Sequence, residues 1–198
     1  MSPVGVSDAP SAVAEGFVLV GRASRFPGKF FATVDHERLI DRAVGSLTRA
    51  GLRVRIVSLA DGIPSPPAPV LSDRYGRGPL GGVRTILEDR PGPFVLAGAD
   101  MPWIDATAIR SLLRRYRPGR SVVPVHPDAT LEVLHAVYDL PRDRVATCWT
   151  AGRALKDLVR ELANEGMVDL VPVRELPRRT FADVNTPADL ARDGAPPG

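Results

Sequence analysis

Short apolar runs and amphipathic stretches alternate along most of this chain. Phe17-Val18-Leu19-Val20 is continuously apolar, the pattern of a strand buried on both faces. Residues 36–50 place Leu39, Ile40, Ala43, Val44 and Leu47 at helical spacing, and Gly51 closes that helix. Residues 52–57 read as a strand, alternating at first, and 61–69 hold four prolines and form a loop. A brief strand over 70–73 ends in Asp73. The glycine-rich stretch 77–82 predicts a turn leading into a helix through Val83, Ile86 and Leu87. Residues 94–97 form an apolar strand that runs through Gly98-Ala99 to Asp100, and a helix over 105–116 carries Ile109, Leu112 and Leu113. Further along come a strand at 121–125, an extended run at 131–138, helical patterns at 141–148 and 152–163, and a strand at 168–173. Residues 181–190 end the ordered chain.

Strands alternating with helices predict an α/β fold, a mostly parallel sheet with helices on both faces. The chain has 198 residues, enough for one domain with a sizeable core. We expect that domain over 16–192, flexible ends at 1–15 and 193–198, and an insertion or lid at 126–150.

Composition narrows the chemistry. At 44% hydrophobic and 25% charged, the chain is ordinarily globular. Its net charge of +3 and pI near 9.5 suit an anionic small molecule. The densest basic cluster, Arg110, Arg114, Arg115, Arg117 and Arg120, has the spacing of a solvated helix face, so no nucleic-acid partner is expected. The single cysteine, Cys148, excludes an internal disulfide and a cysteine-rich zinc site, and fits a reducing compartment. His36, His126 and His135 lack metal-ligand spacing. With no membrane-length apolar run and no signal-peptide pattern, the expectation is a cytoplasmic protein without a membrane partner.

Four loops carry candidate chemistry. Asp100 ends an apolar strand and precedes Met101-Pro102, which puts a carboxylate at the edge where open α/β sheets bind ligands. It reads as a Mg²⁺ ligand or as an N-cap or turn residue. Gly21-Arg22-Ala23-Ser24-Arg25-Phe26-Pro27-Gly28-Lys29 follows the first strand. Its amides and cations are suited to phosphates, although its residue order is that of neither a P-loop nor G-x-G-x-x-G, and an ordinary turn is the alternative. Lys29 and Lys156 are the chain's only lysines among 26 Lys and Arg, so a lysine in that loop stands out. Gly78-Pro79-Leu80-Gly81-Gly82 allows close backbone approach to a ligand, and Asp73 just upstream can accept hydrogen bonds from a base or ribose. Near the end, Asp183 and Asn185 stand two apart before Thr186-Pro187, a helix-start signal.

Taken in order, these loops resemble the molybdenum cofactor guanylyltransferase family. Leu19 to Lys29 is similar to that family's L-A-G-G-x-S-x-R-M-G-x-D-K; Gly78 to Gly82 to its G-P-L-A/G-G; and Ala99-Asp100-Met101-Pro102 to its C/G-D-M-P. Val133-Leu134-His135-Ala136-Val137-Tyr138 approximates P-L-x-A-x-Y, and residues 183–190 match N-x-N-T-P-x-D-L apart from the first position. The resemblance implies a Rossmann-like, glycosyltransferase-A-like three-layer fold. It also implies transfer of GMP from GTP to molybdopterin phosphate with release of pyrophosphate. By the same resemblance, Gly21, Arg22, Ser24, Arg25 and Lys29 hold the triphosphate, with Lys29, Arg25 and Asp100 catalytic. Leu19, Asp73, Gly78 and Gly81 belong to the nucleotide site, Asp100 binds Mg²⁺, and Tyr138, Asp183 and Asn185 face the acceptor. The chain departs from the pattern in a first loop two residues shorter, in Arg22 and Gly28 where the family has glycine and an acid, and in Asp183 where it has asparagine. These departures leave open a cytidylyltransferase, another small phosphorylated acceptor, or a non-catalytic cofactor-binding homologue.

Overall fold

The computed structural model describes residues 13–21, 29–59, 63–101 and 103–177, with Lys29 described by its backbone alone. A seven-stranded sheet organises them, in the order β5-β4-β1-β6-β8-β7-β9. Its strands are β1 (Glu15–Val20), β4 (Arg53–Ser58), β5 (Val70–Ser72), β6 (Phe94–Gly98), β7 (Ser121–Val125), β8 (His135–Tyr138) and β9 (Val168–Pro172). Only β8 runs against its neighbours, antiparallel to both β6 and β7; the other pairings are parallel.

Alternation along the strands divides the core into two layers. Val18 and Val20 of β1, and Val95 and Ala97 of β6, pack with α1 (Leu39–Arg49) and α3 (Ala106–Arg115). Phe17, Leu19, Phe94 and Leu96 face the other way, onto α2 (Pro79–Asp89), α4 (Arg142–Thr150) and α5 (Leu155–Asn164). The predicted three-layer α/β fold is therefore present. Continuous apolar runs were the right signal for its central strands, because those strands are covered on both faces.

Four local expectations need correction. The first helix starts at Leu39 instead of His36, because Asp35 and His36 have φ of 51° and 66° and form the turn of a small hairpin, β2 (Thr33–Val34) and β3 (Glu37–Arg38). The ordered chain reaches further towards the N-terminus than residue 16: Val13 is buried and β1 opens at Glu15. Gly81 and Gly82 lie in the first turn of α2, not in a turn before it, with Pro79 at the helix start, where its missing N–H is not needed. Finally, residues 126–150 are neither insertion nor lid: β8 joins the two halves of the sheet, and α4 packs on α2.

Three of the five arginines near 110–120 are tied into the protein. Arg110 donates to the Arg49 carbonyl, Arg115 to Ser111 and Glu175, and Arg120 to Asp169. Among the described residues no helix is long and apolar enough to cross a membrane.

Candidate active site

The chain leaves β1 for β4 on one side, and β6 later pairs with the opposite side of β1. This reversal opens a crevice beyond the carboxyl ends of β1 and β6. A cavity of about 660 Å³ lies there, lined by Leu19, Val20, Gly21, Phe30, Leu59, Asp73, Gly76, Arg77, Gly78, Pro79, Asp100 and Leu134.

One wall is the segment joining β5 to α2. Asp73 enters it through its own amide, which donates to the Ser58 carbonyl at 2.7 Å. Asp73 Oδ1 then accepts from the amides of Tyr75 (3.0 Å) and Gly76 (3.1 Å) and from Thr85 Oγ1 (2.8 Å). One carboxylate oxygen thus pins the loop to both β5 and α2, while Oδ2 takes part in none of these bonds. Two glycines are required by this geometry. Gly78 has φ 80° and ψ −168°, a conformation other residues avoid. At Gly81, a Cβ would stand 1.7 Å from the Gly76 carbonyl oxygen, so only glycine lets the helix start this close to the loop.

The opposing wall comes from β6. The Ala99 amide donates to the Leu19 carbonyl at 3.2 Å, and the Gly98 amide to the Leu134 carbonyl at 2.9 Å. These bonds carry the ends of β1, β6 and the approach to β8 to one edge, and Asp100, half-buried, follows directly into the cavity. Behind it, the Asp105 side chain accepts from the Ala108 amide at 2.7 Å and caps α3. Capping therefore falls to Asp105 and not to Asp100.

Leu19, Gly21, Asp73, Gly78 and Asp100 thus line one cavity, and Gly81 supports its wall. Arg22, Ser24, Arg25, the Lys29 side chain, Asp183 and Asn185 lie outside the described residues. Tyr138 is not at the cavity. It is fully buried, and its hydroxyl donates to the Val133 carbonyl at 2.8 Å. The reason is strand direction: β8 is antiparallel to β6, so Tyr138 pairs with Phe94 at the far end of the sheet and His135 pairs with Ala97 near the site. Leu134, next to His135, reaches the cavity instead. His135 is also buried, and burial pushes its imidazole down to about 4, which leaves it neutral at physiological pH. Phe30, Leu59, Arg77 and Leu134 were not anticipated as lining residues. The one signal for them was position in the sequence: Phe30, Arg77 and Leu134 adjoin Lys29, Gly78 and His135, and Leu59 follows the strand read at 52–57.

Among the described residues no group of three or more His, Cys, Asp or Glu side chains could cage a metal. A Mg²⁺ that arrives with nucleotide phosphates needs only one or two protein carboxylates, so Asp100 alone fits that mode and does not fit a protein-only site.

A mostly parallel sheet with this crevice, glycine wall and edge carboxylate is the frame of a nucleotidyltransferase. More narrowly, the chain belongs to the family of MobA-like NTP transferase domains, whose model matches residues 16–166. Among solved structures it is similar to molybdopterin-guanine dinucleotide biosynthesis protein A from Archaeoglobus fulgidus. The TM-score is 0.71 at 21% identity, over 90% of this chain and 95% of that one. It is also similar to 2-C-methyl-D-erythritol 4-phosphate cytidylyltransferase from Thermus thermophilus, with TM-score 0.68, 16% identity, and 91% and 96% of the two chains covered. At these identities the likeness is one of fold. No curated protein matches the chain.

Proposed function

We propose that this protein transfers GMP from GTP to the phosphate of a molybdopterin-type acceptor in a Mg²⁺-dependent reaction. The observation that carries this reading is the placement of Asp100 and the Asp73–Pro79 wall on one cavity at the switch point of the sheet. The similarity to the Archaeoglobus fulgidus protein, named for molybdopterin-guanine dinucleotide biosynthesis, supports the choice of base and acceptor.

In this reading the base and ribose lie along Leu19, Asp73 and the Gly76–Pro79 backbone. The Asp73 oxygen left out of the loop's bonds is the acceptor group for them. Gly21, Arg22, Ser24, Arg25 and Lys29 hold the triphosphate, and Asp183 and Asn185 face the acceptor. An acceptor phosphate oxygen attacks the α-phosphorus of GTP. The new P–O bond forms as the bond to the β-phosphate oxygen breaks, and pyrophosphate leaves. Alignment and charge neutralisation do most of the work, with no strong base required. Bound Mg²⁺, held by Asp100 and the phosphates, supplies part of that neutralisation.

Incubating the protein with GTP, Mg²⁺ and molybdopterin tests this directly: pyrophosphate should appear in step with the guanine dinucleotide. Turnover with CTP in place of GTP would move the reading to a cytidylyltransferase. No pyrophosphate with any nucleotide or acceptor would overturn it, and calorimetry showing cofactor binding without nucleotide binding would point to a non-catalytic homologue.

A further inference from the structure

Arg77 is exposed at the cavity wall, in the left-handed region with φ 55°. Its guanidinium makes no hydrogen bond or ion pair with any described residue; it lies 3.9 Å over the ring of Trp149. Trp149 comes from the last turn of α4, more than seventy positions further along the chain. Its ring is itself held: Tyr75 meets it edge-on at 5.3 Å, and the Arg84 guanidinium lies 4.7 Å away. Tyr75 is fixed in turn, its amide donating to Asp73 and its hydroxyl to Glu88. Trp149 Nε1 is shut off from water with no hydrogen-bond partner among the described residues. An unmet indole N–H is unfavourable. What this tryptophan contributes to the site is therefore its ring face, not its polar atom.

A planar cation immobilised on an aromatic face keeps its N–H edge available and loses little freedom when it binds. The donors of Arg77 are therefore ready for acceptor atoms of a ligand in the cavity. We propose that Trp149 is a positioning residue for the nucleotide, holding Arg77 so that its guanidinium contacts acceptor atoms of the base or of the phosphates. This rests on the nucleotide-binding reading of the cavity.

The test uses the full-length protein, with calorimetric titration of GTP, CTP, ATP and UTP and steady-state kinetics on whichever is turned over. Trp149→Ala should weaken nucleotide binding and raise its KM about tenfold. Its kcat should stay within about twofold, since Trp149 touches no reacting atom. Trp149→Phe should restore most of the affinity, because it keeps a ring face and removes the unmet N–H. Arg77→Ala should lose as much affinity as Trp149→Ala, and the double variant should be no worse than Arg77→Ala alone. Arg77 is exposed, so that variant keeps the test open should Trp149→Ala fail to fold. A loss confined to one base places the contact on the base edge, and an equal loss across all four places it on the phosphates; either supports the proposal. Wild-type affinity in Trp149→Ala or Arg77→Ala would overturn it. If the wild-type protein binds none of the four nucleotides, the reading of the cavity falls as well, which separates that failure from the failure of the Trp149 role alone.

Discussion

The two edges of the sheet carry similar residues and use them differently. At the amino edge, Glu15 opens β1 and is closed off by Arg53 at 2.8 Å and Arg90 at 3.3 Å, while Arg55 pairs with Asp89 at 2.7 Å. At the carboxyl edge, Arg77 has no ionic partner among the described residues, and Asp73 keeps one oxygen out of its loop bonds. The backbone differs as well. At the amino edge positive φ falls on single glycines, such as Gly51 before β4 and Gly92 before β6, whereas at the carboxyl edge three consecutive residues, Gly76, Arg77 and Gly78, have positive φ and the middle one carries a side chain. An acid or an arginine at a strand end is therefore no signal of function in itself. What separates the edges is whether the charge is already satisfied by the protein and whether the chain tolerates strain to place it.

Substitutions at the two edges should separate activity from stability. The largest effect expected is from Asp100→Ala, which should lower pyrophosphate release by about 10²–10³-fold, with a melting temperature close to wild type; an active Asp100→Ala enzyme would remove the carboxylate from the site. Gly81→Ala should come next. Its methyl group meets the Gly76 carbonyl, so the wall must shift, at about 1–3 kcal/mol of stability by denaturant titration and with weaker nucleotide binding. At the amino edge, Glu15→Gln should cost about 1 kcal/mol and leave kcat/KM unchanged; a loss of turnover there would erase the contrast between the edges. Tyr138→Phe should have the smallest effect, about 0.5 kcal/mol for the bond to Val133, with no change in the KM of the acceptor.

Parts of this arrangement were legible in the sequence for physical reasons. Buried parallel strands must be apolar on both faces, so Phe17–Val20 and Phe94–Ala97 announced the sheet centre, and a carboxylate directly after such a run had to emerge at its edge. Strand direction left no comparable trace. Nothing in His135–Tyr138 states which way β8 runs, and that direction decides that Leu134, not Tyr138, is at the cavity. Pairs joined across the fold were equally silent. Arg77 and Trp149 meet only because α4 packs on α2, a contact set by tertiary packing and not by any local pattern. The hairpin at Asp35-His36 was missed because its flanking residues continue a helical spacing, while the turn depends on backbone angles that neither residue favours strongly.

The reversed strand also has a consequence in time. When β6 leaves the ribosome it can pair with β1 at once, but its other side has no partner until β8 arrives, and Ala97 waits for His135. At roughly 5–20 residues per second, this apolar strand stays open for a few seconds of synthesis. For that interval the nascent chain carries an unpaired strand edge, the form most prone to joining another chain. The four residues of β8 therefore do more than join the two halves of the sheet: their arrival ends that interval for β6.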